Sequence, residues 1–395
     1  MKVSEACLNQ PFLYSLFHTQ LPCEADGIGS HCLSMAWQPA AMPKNSDSLD
    51  FFISQGARDS VVAAFNGQDG STEVEEFGTC LFRCSIDIQR QLFRYTSPML
   101  PVNSLPPSLY DDSDSNDAVD RNFKPVTKLK LYDQGRVMFG CSMGSLMVWM
   151  TQSMKHSHSL LLLDDINNVY DVGNNYVVAG SDRGDVGVWK AGSKSHLWRF
   201  NDTRRFENSR KTGYMKPEVS ALKIAHGDDC AYVGDSLGSL SMCDFREPRI
   251  KTVSPINRGD INSIDIMGNK HILIGTEKGI IATLDSRMMG GSYGTKVLSE
   301  YTPAIANPVR SIQVNPHNPS VIACSGYDDI RIYKANPAGD LAPVFTHSLH
   351  QSAIADYSWH PDSEHKYTIG SLDTGEGFDT GEIQIWQPAM AKNWS

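Results

Sequence analysis

Apolar and polar residues alternate along most of this chain in short runs, and each run is closed by a turn rich in Gly, Asp or Asn. In residues 166–190, INNVYDVGNNYVVAGSDRGDVGVWK, two such runs precede a turn at 182–184, after which Val186 and Val188 flank Gly187 and Trp189 closes the run. Alternation with period two marks half-buried strands, and Gly and Asp accept the positive φ angles that tight hairpins require. The segment predicts a three-strand meander. A matching segment at 126–150 lies 40 residues earlier, further copies start at Val219, Ile261 and Val309, and divergent ones start at His31 and Ile354, seven in all. Short strand candidates at 159–163, 196–200, 250–253 and 343–346 fall between copies and supply a fourth strand per unit. Four strands at a repeat of about 40–45 residues are the mark of a β-propeller, whereas helical solenoids need apolar positions at helical spacing. The pattern therefore predicts an all-β chain, a single seven-bladed propeller over residues 1–395.

The last copy ends just after Trp386 and has no fourth strand of its own. Segment 12–22, FLYSLFHTQLP, precedes the first copy and is expected to supply that strand. This would close the ring and remove the exposed edges of an open array. Seven copies account for roughly 300 positions, so the remainder must be insertions. One, at 97–123, contains PSLYDDSDSNDAVDR and reads as a mobile acidic loop. The other, at 199–216, interleaves Arg204, Arg205, Arg210 and Lys211 with Phe200, Phe206 and Tyr214. Arginine and aromatics together anchor many protein interfaces, which makes Arg204, Arg205, Phe206, Arg210 and Tyr214 candidate protein-binding residues.

Composition narrows the function. Hydrophobic residues make up 41% and charged residues 20%, as in ordinary globular proteins. No apolar run approaches the roughly 18–20 residues that span a bilayer, and the amino terminus shows neither an apolar h-region nor an Arg-rich transit pattern. The expectation is a cytoplasmic protein with no membrane partner. A net charge of −10 gives no basic field for a phosphate backbone, so direct nucleic-acid binding is not expected. The nine cysteines are dispersed without a CxxC pair and read as reduced thiols. No Cys/His cluster has zinc spacing, and neither a metal nor a cofactor is expected.

Two segments match the GxSxG pattern of serine hydrolases, Gly140-Cys141-Ser142-Met143-Gly144 and Gly234-Asp235-Ser236-Leu237-Gly238. Both occupy the repeat position that holds Gly180 to Gly184 and Gly275 to Gly279 in other copies. A nucleophile elbow also requires a strand followed by a helix, while here a strand pattern continues, so the hairpin reading is preferred and no catalytic residue is assigned. Trp149, Trp189 and Trp386 end third strands and are expected to pack between blades, and His360, in Trp359-His360-Pro361, is expected in a turn or core.

Cys243-Asp244-Phe245-Arg246 and Leu284-Asp285-Ser286-Arg287 end third strands with an acid and an arginine. A similar Asp-x-Arg carries adaptor contacts in WD-repeat substrate receptors of cullin-type ubiquitin ligases. Here the aromatic that precedes it is absent, and local turn satisfaction is the simpler reading. Arg246 and Arg287 are nonetheless retained as candidate protein-binding residues.

In the carboxy-terminal third, SGYDDIRIYKAN, PVFTHSLHQ, YSWHPDS and EIQIWQ follow one another in an order that resembles the WD-repeat family, and within it the WD repeat-containing protein 73 group. The resemblance covers about the last half of the chain. It implies a cytoplasmic, non-enzymatic adaptor with protein partners, associated with spindle poles and microtubules or with handling of the Integrator endonuclease subunits and their HEAT-repeat partner; a nuclear location is also compatible. The Gly-His dipeptide that usually opens such repeats is missing, so the family's buried polar tetrad is expected to be degraded. The preferred function is a scaffold or assembly factor, with a ligase substrate receptor and a serine hydrolase through Ser142 or Ser236 as alternatives.

Overall fold

A computed structural model describes residues 13–20, 30–37, 48–57, 65–66, 72–73, 80–87 and 92–95, most of 128–200 and 217–302, and 307–375 and 381–394. The described strands form seven four-stranded antiparallel sheets and one two-stranded hairpin. The first blade runs Ser30–Trp37, Ser48–Ala57, Cys80–Asp87, Leu92–Tyr95, and the second Lys128–Tyr132, Val137–Ser142, Ser145–Met150, Lys155–Leu161. The third runs Asn167–Val172, Tyr176–Ser181, Val186–Lys190, His196–Phe200, and the fourth Val219–Ile224, Cys230–Asp235, Ser239–Asp244, Arg249–Pro255. The fifth runs Ile261–Met267, His271–Thr276, Ile281–Asp285, Val297–Tyr301, and the sixth Ser311–Val314, Val321–Ser325, Ile330–Ala335, Leu341–His347. First strands of successive blades contact one another, so they line the centre of the ring.

The seventh blade joins the two ends of the chain. Ile354–Trp359, Ile369–Asp373 and Glu382–Pro388 come from the carboxy-terminal copy, and Leu13–Gln20 pairs antiparallel with Glu382–Pro388 as the outermost strand. The closure expected from segment 12–22 is therefore present. The pairing joins the two ends of the ring and leaves Leu13–Gln20 as a rim edge, like the fourth strands of the other blades.

First strands keep half-buried positions, as Ser220 and Lys223 in Val219–Ile224, but the alternation is broken by a bulge between Val219 and Ala221. Second and third strands differ, since His271–Thr276 and Ile281–Asp285 are buried almost throughout. Blades stack face against face, so a middle strand has a neighbouring sheet on both sides and must be apolar on both. Trp189 packs with Phe139, Val148 and Leu160 of the preceding blade, and Trp386 packs with Ala323 and Ile332 of the sixth. The side chain of Trp149 lies outside the described residues.

The recurring glycines have two separate causes. Gly184, Gly238 and Gly279 adopt φ of +80°, +75° and +76° at the turns between second and third strands. Gly180, Gly234 and Gly275 lie where the next blade presses closest: a Cβ on Gly234 would stand 2.5 Å from Ile261 Cγ2, and one on Gly275 would stand 2.5 Å from Val309 Cγ1. The Gly-x-x-x-Gly spacing thus records a blade contact followed by a hairpin.

Candidate interaction surface

The first strands of all seven blades line a central channel of about 430 Å³. Five of them carry a polar residue at one matching position between two apolar neighbours, Lys130, Asp171, Lys223, Asp265 and Gln313, and the seventh blade carries Asp356 two residues earlier in its strand. These side chains fasten blade to blade. Lys130 pairs with Asp171, and Lys223 Nζ lies 2.8 Å from Asp265 Oδ1. The carboxylates also accept amides of the following blade: Ile224 donates to Asp171 at 2.8 Å, Val314 to Asp265 at 2.7 Å and Met35 to Asp356 at 3.1 Å. Gln313 Nε2 donates to the Tyr357 carbonyl at 2.5 Å. Carboxylates that accept buried amides carry structural free energy, so this collar serves the ring before any ligand. No sequence signal flagged it in advance, because an isolated polar residue between apolar neighbours looks like ordinary strand alternation.

A triad-like array lies under the seventh blade. His350 Nδ1 is 3.2 Å from Asp373 Oδ2, and His350 Nε2 is 2.7 Å from Ser371 Oγ. The connectivity is that of a hydrolytic triad, but Ser371 is 0% and Asp373 1% exposed, and Trp386 Nε1 donates to the same Ser371 Oγ at 3.1 Å. A buried nucleophile that already accepts an indole N–H cannot meet a substrate. These four residues instead form a buried structural tetrad, intact in this blade. The expectation that it would be degraded is corrected in this blade, where His350 follows Leu349 rather than Gly. Burial tends to raise the Asp373 pKa, and the hydrogen bond from His350 with the Glu382 and Gly375 amides more than offsets it, leaving the carboxyl below its ordinary value.

Neither GxSxG match forms an elbow. Ser236 Oγ accepts the Glu218 amide at 3.0 Å, and strands Ser145–Met150 and Ser239–Asp244 follow the two matches where a helix would be needed. His360 is 2% exposed, its Nδ1 accepts the Asp362 amide at 3.2 Å, and its ring packs edge-on against Trp37. Among the described residues, Cys84, Cys230, Cys243 and Cys324 are thiols outside any disulfide, and burial pushes Cys84 and Cys324 above the ordinary thiol range.

One face of the wheel, here the lower face, carries the turns after first and third strands. Arg246 and Arg287 stand there at the same position of adjacent blades. Each guanidinium forks onto the acid two residues earlier: Arg246 Nε and Nη2 lie 3.0 and 2.9 Å from Asp244, and Arg287 Nε and Nη2 lie 2.9 and 2.5 Å from Asp285. The acids are recessed while the arginine side chains are 69% and 62% exposed. The fork with Arg287 holds the Asp285 carboxyl at a pKa of about 2. Local turn satisfaction, the simpler reading of these motifs, is realised in both.

The opposite, upper face carries the turns between second and third strands and the crossings between blades. Here the Glu277 amide donates to Asp260 O at 3.0 Å, in the crossing that enters its own blade, and the Ile354 amide donates to Tyr327 O at 2.7 Å, tying that turn to the crossing that follows. Arg204, Arg205, Phe206, Arg210 and Tyr214 fall in 201–216, and the acidic stretch falls in 97–123, both outside the described residues.

No protein-family model matches the chain. WD repeat-containing protein 55 of Arabidopsis thaliana is 24% identical over 119 residues, 30% of this chain and 30% of the relative, so the match spans under a third of that relative's length. A chain in a crystal structure of a mitotic checkpoint complex superposes with a TM-score of 0.58 at 10% identity, covering 93% of this chain and 95% of that one. The β-propeller domain of Myceliophteria thermophila Cps50 (Swd1) gives a TM-score of 0.60 at 13% identity, covering 94% and 99%. At such identities the structural likeness shows the fold alone. No enzyme family is indicated. The chain has the fold of a seven-bladed β-propeller, and part of its sequence is similar to a WD-repeat protein.

Proposed function

We propose that this protein is a non-catalytic scaffold that assembles a multi-protein complex in the cytoplasm, as a member of the WD repeat-containing protein 73 group. Its cargo on this reading is the Integrator endonuclease subunits with a HEAT-repeat partner, and the spindle pole is a second place of action. The observation that carries the scaffold reading is the use of the chain's reactive side chains: His350, Asp373, Ser371 and the channel collar hold blades together. What the ring offers outward is a rigid rim of turns, suited to holding other proteins. Affinity purification of the tagged chain from cytosol, followed by mass spectrometry, should recover a stoichiometric complex containing endonuclease subunits. Recovery of a monodisperse monomer would overturn the scaffold reading, and a stable complex lacking those subunits would overturn the cargo.

A second reading is a substrate receptor of a cullin-type ubiquitin ligase, favoured by the matched forks of Arg246 and Arg287 on one face of adjacent blades. Replacing both arginines with alanine should then abolish recovery of a ligase adaptor, and unchanged recovery would refute it.

A further inference from the structure

The turns between second and third strands in the fourth, fifth and sixth blades are equivalent in register. Their apices are Leu237, Lys278 and Tyr327, three consecutive large side chains along the upper face. Leu237 is 55% and Tyr327 56% exposed, although both residue types usually gain by burial. The row is rigid. Ile256 donates its amide to Gly238 O at 3.0 Å beside Leu237, and the Ile354 amide holds Tyr327 O. The Lys278 stem stands close enough to Gly259 that a Cβ there would meet Lys278 Cγ at 3.0 Å. The Arg310 guanidinium lies 4.9 Å from the Tyr327 ring centroid and stiffens that end.

The carboxylates around the row outnumber the cations. Arg258 and Glu300 pair with each other at 2.7 Å, which leaves the exposed Asp260, Glu277 and Asp328 against Lys278 and Arg310. We infer that this row is a docking surface for a basic segment of a partner protein, whose aliphatic or aromatic side chains sit on Leu237 and Tyr327 while its lysines or arginines meet Asp260, Glu277 and Asp328. Preformed aromatic and apolar anchors inside a polar rim are the arrangement that concentrates binding energy, and an acidic rim selects a basic partner and suppresses acidic ones.

The inference can be tested without knowing the partner. A random peptide display library is panned against the full chain, and enriched peptides are synthesised and measured by fluorescence anisotropy. The expected peptides carry several Lys or Arg and at least one large apolar residue. Leu237→Ala with Tyr327→Ala should weaken them roughly tenfold or more, Glu277→Lys with Asp328→Lys should weaken them further, and added salt should do so as well. Arg287→Ala, on the other face, should leave them unchanged. All these positions are exposed, and unaltered melting curves would show that the variants still fold. Absence of enrichment, enrichment of acidic peptides, or binding indifferent to Leu237→Ala with Tyr327→Ala would overturn the inference. The purification of a cytosolic complex stands apart from this result, so the scaffold reading and this surface can fail separately.

Discussion

Replacing Gly234 with alanine tests whether the Gly-rich spacing is architecture. The new Cβ would lie 2.5 Å from Ile261 Cγ2 and 2.8 Å from Ile261 Cβ, on the first strand of the next blade. Ile261 is fully buried and has no room to withdraw. Forcing a methyl into such a contact costs about 1–3 kcal/mol, while stiffening the unfolded chain returns roughly 0.4–1 kcal/mol. The expected net loss is about 1–2 kcal/mol, seen as a lower midpoint in urea at unchanged slope. Ile261→Ala alone should cost about 2–5 kcal/mol by cavity formation. Because it removes the clashing Cγ2, the double variant should be more stable than the sum predicts by about 1 kcal/mol. A neutral or stabilising Gly234→Ala, or strict additivity in the double variant, would refute the idea that blade contact selects this glycine.

Acid should weaken the fold through His347 and His360. Burial, with His350 as a lesser cause, lowers His347 to about 3, and burial with His365 and His317 lowers His360 to about 3. Both stay neutral in the folded ring while the unfolded chain binds protons below its ordinary value, so stability present above about pH 6.5 is lost as pH falls towards 3, roughly 2 kcal/mol per histidine by pH 5. Urea midpoints across that range should flatten by one proton's worth in His347→Gln, and an unaltered slope would count against the assignment. In the collar, Asp265→Ala strips a carboxylate that accepts the Ile266 and Val314 amides and pairs with Lys223. It should cost about 2–4 kcal/mol, more than Lys223→Met, and the reverse order in chemical denaturation would show that the ion pair outweighs the amides. Arg287→Ala should let the Asp285 carboxyl rise from about 2 towards its ordinary value in a carbon-detected NMR titration, with little change in stability because the guanidinium is exposed.

The wheel was legible because hairpin chemistry repeats more faithfully than side chains do. The fourth strand at His196–Phe200 coincides with its expected range, whereas 159–163 is displaced to Lys155–Leu161 and 250–253 extends to Arg249–Pro255. Outer strands lie on the rim, where polar residues are tolerated and apolar periodicity stops marking their ends. The collar escaped notice for a different reason. Lys130 between Leu129 and Leu131 reads locally as a solvent-facing position, and only ring closure brings five such positions to one channel. The tetrad was missed because its histidine was sought after glycine, while the geometry requires only that His350 reach Ser371 and Asp373.

Because both ends of the chain build the seventh blade, Leu13 pairs across the sheet with Pro388, from the far end of the sequence. Bringing such distant partners together costs about 5 kcal/mol of chain entropy before any contact repays it. During synthesis the amino-terminal strand must therefore wait, unmatched, until its mate leaves the ribosome. A nascent chain of this kind is at its stickiest until that mate emerges, and a chaperone that shelters the early strand would act on the step that commits the wheel to its final form.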